Sequence, residues 1–161
     1  MENSELNTLK YKAESYCVTA ERCRQDVALK LRQWLSNSPQ DDPTSNSDSV
    51  LTTIIAHLYE AGYLDDARYC RAFVHDKLTY QGWGRVKIQY MLRAKHLPSE
   101  AIDAAMAEID EEEYNKVLTH VAEQFIRLNR KKYAANPACL YRFLAQRGFT
   151  SEEIKKITQN A

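Results

Sequence analysis

Three observations predict an all-α protein built from three tandem three-helix units of helix-turn-helix-like form. Gly and Pro number only four each in 161 residues, too few for a many-turned sandwich or a glycine-looped nucleotide fold. Apolar residues recur at helical spacing between capping residues along most of the chain. The sequence also repeats itself at a fixed offset. With 44% hydrophobic and 27% charged residues, the chain has enough apolar material to bury a core.

The elements follow in order. A first helix is expected from Ser4 to about Cys17, and Thr19 is a candidate N-cap for a second helix running to about Leu35. Val27, Leu31 and Trp34 recur at i, i+4 and i+7 in that second helix and make one apolar stripe. Ser36 to Ser49 is rich in Ser, Asn, Asp and Pro and is read as a loop. Asp48 is expected to cap a third helix carrying Val50, Leu51, Ile54, Ile55 and Leu58 and stopped by Gly62. The β-branched run Val50–Ile55 also suits a strand, but the spacing continues through Leu58 and favours a helix. Asp65 or Asp66 caps a fourth helix, with Tyr69, Phe73, Val74 and Leu78 on its core side and Tyr63 and Leu64 before it as a staple or an inter-repeat contact.

Gly82 and Gly84 flank Trp83 and break the chain, leaving Trp83 as either a core anchor or an exposed contact residue. A fifth helix from Arg85 to about Lys95 gathers Ile88, Met91 and Leu92 on one side. Ser99 caps a sixth helix with Ile102, Ala105, Met106 and Ile109. A seventh starts at Asp110 with Glu111, Glu112 and Glu113 in its first turn. It ends on Arg130, Lys131 and Lys132, a polarity that suits the helix dipole. Asn136 and Pro137 open an eighth helix that ends at Gly148, and Thr150 or Ser151 caps a ninth.

At a shift of 52 residues the fifth and sixth helices fall on the eighth and ninth without a gap. Ile88 lands on Leu140, Leu92 on Leu144, Leu97 on Phe149, Ser99 on Ser151 and Ile102 on Ile154. A shift of 61 places Ile88 over Val27 and Leu92 over Leu31. Units at 1–61, 62–109 and 110–161 account for this, each too small to bury its own apolar face well.

Lys plus Arg and Asp plus Glu are both 22, so any grip on nucleic acid must be local. Two stretches are basic. From Arg68 to Lys95 the chain carries Arg68, Arg71, Lys77, Arg85, Lys87, Arg93 and Lys95 against one acid, Asp76. From Gln124 to Thr150 it carries Arg127, Arg130, Lys131, Lys132, Arg142 and Arg147 and no acid. On the fifth helix Arg85, Gln89 and Arg93 form a stripe opposite the apolar arc, with Tyr90 and Lys87 beyond it. Such a face suits a phosphate backbone or an acidic protein surface. Replacing Arg85, Lys87 and Arg93 with Glu is expected to abolish partner binding and leave helicity unchanged.

Motif chemistry is missing: there is no GxxxxGK[ST], GxSxG, HExxH or GxGxxG. His57, His75, His96 and His120 are scattered, and Asp65 and Asp66 are better explained by capping than by a metal. Cys17, Cys23, Cys70 and Cys139 form no CxxC pair. No enzyme activity, cofactor or metal is expected. No apolar run approaches the ~18 residues of a membrane span, and MENSELNTLK has no apolar leader. A cytoplasmic protein with reduced, buried thiols is expected.

The segments GYLDDARYCRAFVHDKL (Gly62 to Leu78) and GWGRVKIQYMLRAKHL (Gly82 to Leu97) resemble the RecX family, modulators of the RecA recombinase. The closing RFLAQRGFTSEEI (Arg142 to Ile154) resembles the end of that family, and RQDVALKL (Arg24 to Leu31) its opening repeat. The chain departs from the family pattern at Gly84-Arg85, where Gly-Pro is common, and at Lys95-His96-Leu97, where the usual turn is Lys-Gly-Ile. A non-glycine residue must therefore fit that turn. The Ser36–Ser49 loop is also longer than is typical of the first repeat.

The resemblance implies three three-helix repeats in an elongated, curved monomer. It implies a protein that binds RecA filaments on single-stranded DNA and restrains their ATPase, recombinase and coprotease activities. ATP and magnesium would belong to the filament. Partner contacts would fall on the basic residues named above, with weak direct DNA contact at most and no membrane. The alternative from the residues alone is a helical DNA-binding protein that acts without RecA.

Overall fold

The computed structural model describes residues 3–37 and 47–159; the side chain of Ser47 is outside that description. Among these residues the chain forms ten α-helices and no strand. In order they are α1 (Asn3–Thr19), α2 (Arg24–Ser36), α3 (Ser47–Glu60), α4 (Asp66–Thr79) and α5 (Arg85–Ala94). Then follow α6 (Ser99–Ala107), α7 (Glu111–Leu128), α8 (Arg130–Ala135), α9 (Ala138–Gln146) and α10 (Ser151–Gln159). The chain divides into two compact units, 1–69 and 70–161. Helix α4 contributes its first residues to one unit and the rest to the other.

In the first unit, α1, α2 and α3 pack together. Ala13, Val27, Leu31, Leu51, Ile54, Ile55, Leu58 and Leu64 form its core. Burial of each Leu or Ile stabilises the fold by about 1.5–3 kcal/mol, so the apolar face of α3 explains why Val50–Ile55 is helix. Gly62 has φ +82 and ends α3 with a turn that both Tyr63 and Leu64 close by donating to the Leu58 carbonyl. Asp65 then accepts from the Arg68 N–H at 3.0 Å and caps α4, while Asp66 accepts from the Tyr59 hydroxyl at 2.7 Å.

Several boundaries differ from expectation, each for a local reason. Thr19 is the last residue of α1, not a cap for α2, because its hydroxyl donates back to the Tyr16 carbonyl at 2.8 Å. Cys23 takes the N-cap position of α2, where the Asp26 carboxylate accepts its N–H at 3.1 Å. Helix α3 starts at Ser47, so Asp48 lies in its first turn and Ser47–Ser49 is not loop. Residues 38–46 of the expected loop lie outside the described residues. Ser99 is the first residue of α6 and makes no capping bond; Pro98 stands at its N-cap.

In the second unit, α5 packs on α6, α7 on α9, and α9 on α10. Ile88, Leu92, Ile102, Leu118, Leu140, Leu144 and Ile154 are all buried. The seventh helix ends earlier than its charge pattern implies. Asn129 leaves helical geometry at φ −132, ψ 41, and its side-chain amide donates to the Phe125 carbonyl at 2.9 Å. Arg130, Lys131 and Lys132 therefore open α8 instead of closing α7, where only Arg127 complements the dipole. Asn136 accepts from the Ala138 N–H, as a cap should, although the regular helix begins at Ala138. Thr150 forms a reciprocal capping box with Glu153 at 3.2 and 3.1 Å.

The repeat at 52 residues is a repeat of hydrogen bonds as well. Leu97 donates to Leu92 and Phe149 to Leu144; His96 donates to Arg93 and Gly148 to Ala145. His96 adopts φ +62 and Gly148 φ +99, so a non-glycine residue does occupy the left-handed position of the α5–α6 turn.

Candidate nucleic-acid and protein interface

Trp83 is positioned by the turn between α4 and α5. Its N–H donates to the Lys77 carbonyl at 2.9 Å, and Gly82 before it has φ +65. Gly84 after it donates to the Arg147 carbonyl at 2.8 Å, and Val86 donates to the Gly148 carbonyl at 3.0 Å. A Cβ at Gly84 would lie 2.4 Å from the Gly148 backbone, so only glycine allows this approach. Trp83 is thereby half-buried, edge-on to Phe73 at 6.3 Å.

Two ammonium groups flank its ring. Lys77 Nζ lies 4.9 Å from the Trp83 centroid and Lys87 Nζ lies 4.2 Å from it. Each such contact contributes about 0.5–1 kcal/mol at a partly exposed site and holds a flexible side chain in place. The result is a fixed pair of positive charges around an indole, which suits phosphate or carboxylate recognition.

The other basic candidates divide by what they touch. Arg68 donates to Glu21 at 2.6 Å and to the carbonyls of Gly62 and Tyr63, closing the turn into α4. Arg85 lies over the Tyr114 ring at 3.9 Å and pairs with Glu111 and with Glu153 at 3.5 Å. Its backbone N–H donates to the Tyr114 hydroxyl, which donates in turn to Glu153 at 2.8 Å. Burial, together with that carboxylate, raises Tyr114 above the usual phenol range and keeps it a donor. The stripe Arg85–Gln89–Arg93 is thus not one solvent face: α5 turns Arg85 toward α7 and α10, and Arg93 stays exposed. Replacing Arg85 with Glu would set a third carboxylate beside Glu111 and Glu153, so that substitution tests stability before binding.

Arg147 donates to the Gln81 carbonyl and lies 5.0 Å from the Phe143 ring. Arg71, Arg93, Arg127, Arg130, Lys131, Lys132 and Arg142 are exposed, as is Tyr90 at 69%, and Lys95 is half-buried at the end of α5. A groove of about 800 Å³ beside Arg147 is lined by Tyr80, Lys116, His120, Val121, Phe125 and Phe143 among others, with no carboxylate.

The charge pattern missed a second cation–aromatic cluster, in the first unit. Tyr16 and Trp34 meet edge to face at 6.3 Å, with Lys12, Arg22 and Lys30 within 6.0 Å of one ring or the other. Residues 1–37 hold six basic and five acidic residues, so no charge excess marks the spot. The available signal was the i, i+4 spacing of Lys30 with Trp34; Lys12 reaches Trp34 from another helix.

Among the described residues no three His, Cys, Asp or Glu side chains are placed to hold a metal. Cys23, Cys70 and Cys139 are buried, and burial pushes the Cys17 thiol up to about 11. No described helix is long and apolar enough to cross a membrane.

Helical repeats that carry cations packed on aromatic rings define a class of scaffolds suited to charged macromolecular surfaces. The family model for the second three-helix domain of RecX matches residues 65–106. Regulatory protein RecX of Clostridium botulinum (strain Alaska E43 / Type E3) is 28% identical over 147 residues, covering 87% of this chain and 68% of its own length. Regulatory protein RecX of Escherichia coli O9:H4 (strain HS) is 27% identical over 153 residues, covering 87% and 83%. The crystal structure of RecX from Lactobacillus salivarius has the same fold, with a TM-score of 0.77 at 19% identity over 99% of this chain and 97% of that one. The chain is similar to RecX regulatory proteins over most of its length, and those relatives are named for regulation and not for a reaction.

Proposed function

We propose that this protein binds RecA, alone and as a filament on single-stranded DNA, and inhibits its ATPase, recombinase and coprotease activities in the cytoplasm without catalysing a reaction itself. The observation that carries the reading is the relationship to RecX regulatory proteins over 87% of the chain. The repeat units at 1–61, 62–109 and 110–161 would supply an extended docking surface. The contact residues are drawn from the basic set, with Lys77 and Lys87 about Trp83 at their centre and Tyr90, Arg93, Arg127, Arg130 and Arg142 around them. Arg85 and Arg147 are engaged inside the second unit, and Arg68 inside the first. A net charge of zero disfavours a tight autonomous grip on DNA and favours docking on a protein–DNA complex.

The test is a titration of the purified protein against the DNA-dependent ATPase of cognate RecA. Inhibition at or below the RecA concentration is the expected result. Lys77→Glu with Lys87→Glu should weaken that inhibition at least about tenfold with unchanged helicity, about 1.4 kcal/mol or more of lost binding. A flat ATPase response across a wide titration would sink the proposal. Tight, salt-sensitive binding to naked DNA with no effect on RecA would replace it with an independent DNA-binding role.

A further inference from the structure

We propose that the first unit carries its own binding surface, for single-stranded nucleic acid, made by Lys12, Arg22 and Lys30 around Tyr16 and Trp34. Three segments converge there. Lys12 and Tyr16 come from α1, Arg22 from the connection after it, and Lys30 and Trp34 from α2. The Arg22 guanidinium lies 4.0 Å from the Tyr16 centroid, fixed by the Tyr16 carbonyl at 3.3 Å and the Thr19 hydroxyl at 3.2 Å. Lys30 Nζ sits 5.7 Å from Tyr16 and 6.0 Å from Trp34, and Lys12 Nζ sits 5.9 Å from Trp34.

The acids that might neutralise this group are engaged elsewhere. Glu21 pairs with Arg68, Glu14 with His57, and Asp26 accepts from the Cys23 N–H. Among the described residues none of Lys12, Arg22 and Lys30 forms an ion pair with a carboxylate. Tyr16 and Trp34 pack on the core of the first unit and stay partly exposed beside the three cations, a surface that suits an occupant bringing negative charge together with flat apolar groups. A single-stranded nucleic acid brings one charge and one ring with every residue, and its rings are not hidden in a duplex. An acidic peptide brings the charge without the rings. The surface belongs to a different unit from Trp83, so this proposal stands independently of the RecA reading.

The probe is a fluorescein-labelled oligothymidylate, with binding read by anisotropy at low salt on the full chain. Lys12→Gln, Arg22→Gln and Lys30→Gln together should weaken binding at least about tenfold and reduce the log–log salt slope by roughly 2. The chain has two tryptophans, so Trp83→Phe leaves Trp34 as the one indole reporter. Its emission should shift when the oligonucleotide is added, a readout that holds even if the triple variant folds poorly. Unchanged affinity in a folded triple variant would overturn the proposal. So would Trp34 emission that responds to a polyglutamate peptide and not to the oligonucleotide, which would assign the surface to an acidic protein.

Discussion

The turns at Lys95-His96-Leu97 and Arg147-Gly148-Phe149 share their hydrogen bonds and their left-handed residue, yet differ in what that residue can be. His96 is exposed, so the backbone strain of φ +62 is its main cost. Gly148 is buried, and a Cβ there would lie 2.5 Å from Lys87 Cβ and 2.6 Å from the Lys87 nitrogen. Positive φ alone does not demand glycine in this fold; contact with a second backbone does. That contact, sealed by the bonds from Gly84 and Val86, joins the turn of one repeat to the first turn of α5.

The comparison breaks most completely at Gly148. Gly148→Ala should destabilise the second unit by at least about 3 kcal/mol, from the clash with Lys87 and the strained φ together. Chemical denaturation with circular dichroism measures this, and near-wild-type stability would refute the close-approach account. Next comes the bridge beneath the same turn. Tyr114→Phe removes the hydroxyl that links the Arg85 N–H to Glu153 and should cost about 1–3 kcal/mol while leaving the α10 capping box intact. A loss confined to a few tenths of a kcal/mol would show that Arg85 and Glu153 hold together without it. The smallest effect has the opposite sign: His96→Gly should stabilise the protein by about 0.5–1 kcal/mol, because relief of the left-handed strain exceeds the added chain entropy. Thermal unfolding of that variant sharpens the contrast between the two turns.

The same contrast explains which parts of the molecule were legible in advance. Helix positions and turn residues follow from interactions within four or five residues, which a linear reading captures. Gly62, Asp65, Asp110 and Thr150 act as that reading expects. Ile88, Leu92, Leu140 and Leu144 are buried at the positions the repeat requires. It failed where a side chain competes with the backbone, as at Thr19 and Asn129. A residue type is the same in either case; the choice between helix and break depends on which backbone group its side chain bonds.

The basic surface was legible as composition but not as arrangement. The charge count located Lys77 and Lys87 along with Arg68, Arg85 and Arg147, and it could not separate them. Only packing does so: Arg85 meets Tyr114, which lies 29 residues away, and Glu153, which lies 68 away. Arg68 meets Glu21 across 47 residues. The Tyr16–Trp34 cluster escaped for the same reason, since charges that cancel along the chain need not cancel in space. Amino-acid order settled most of the helices and the 52-residue repeat of turns, because those rest on short-range hydrogen bonds and apolar spacing. The division of arginines and lysines into internal struts and presented charges came from the fold, because it depends on partners brought together from distant segments.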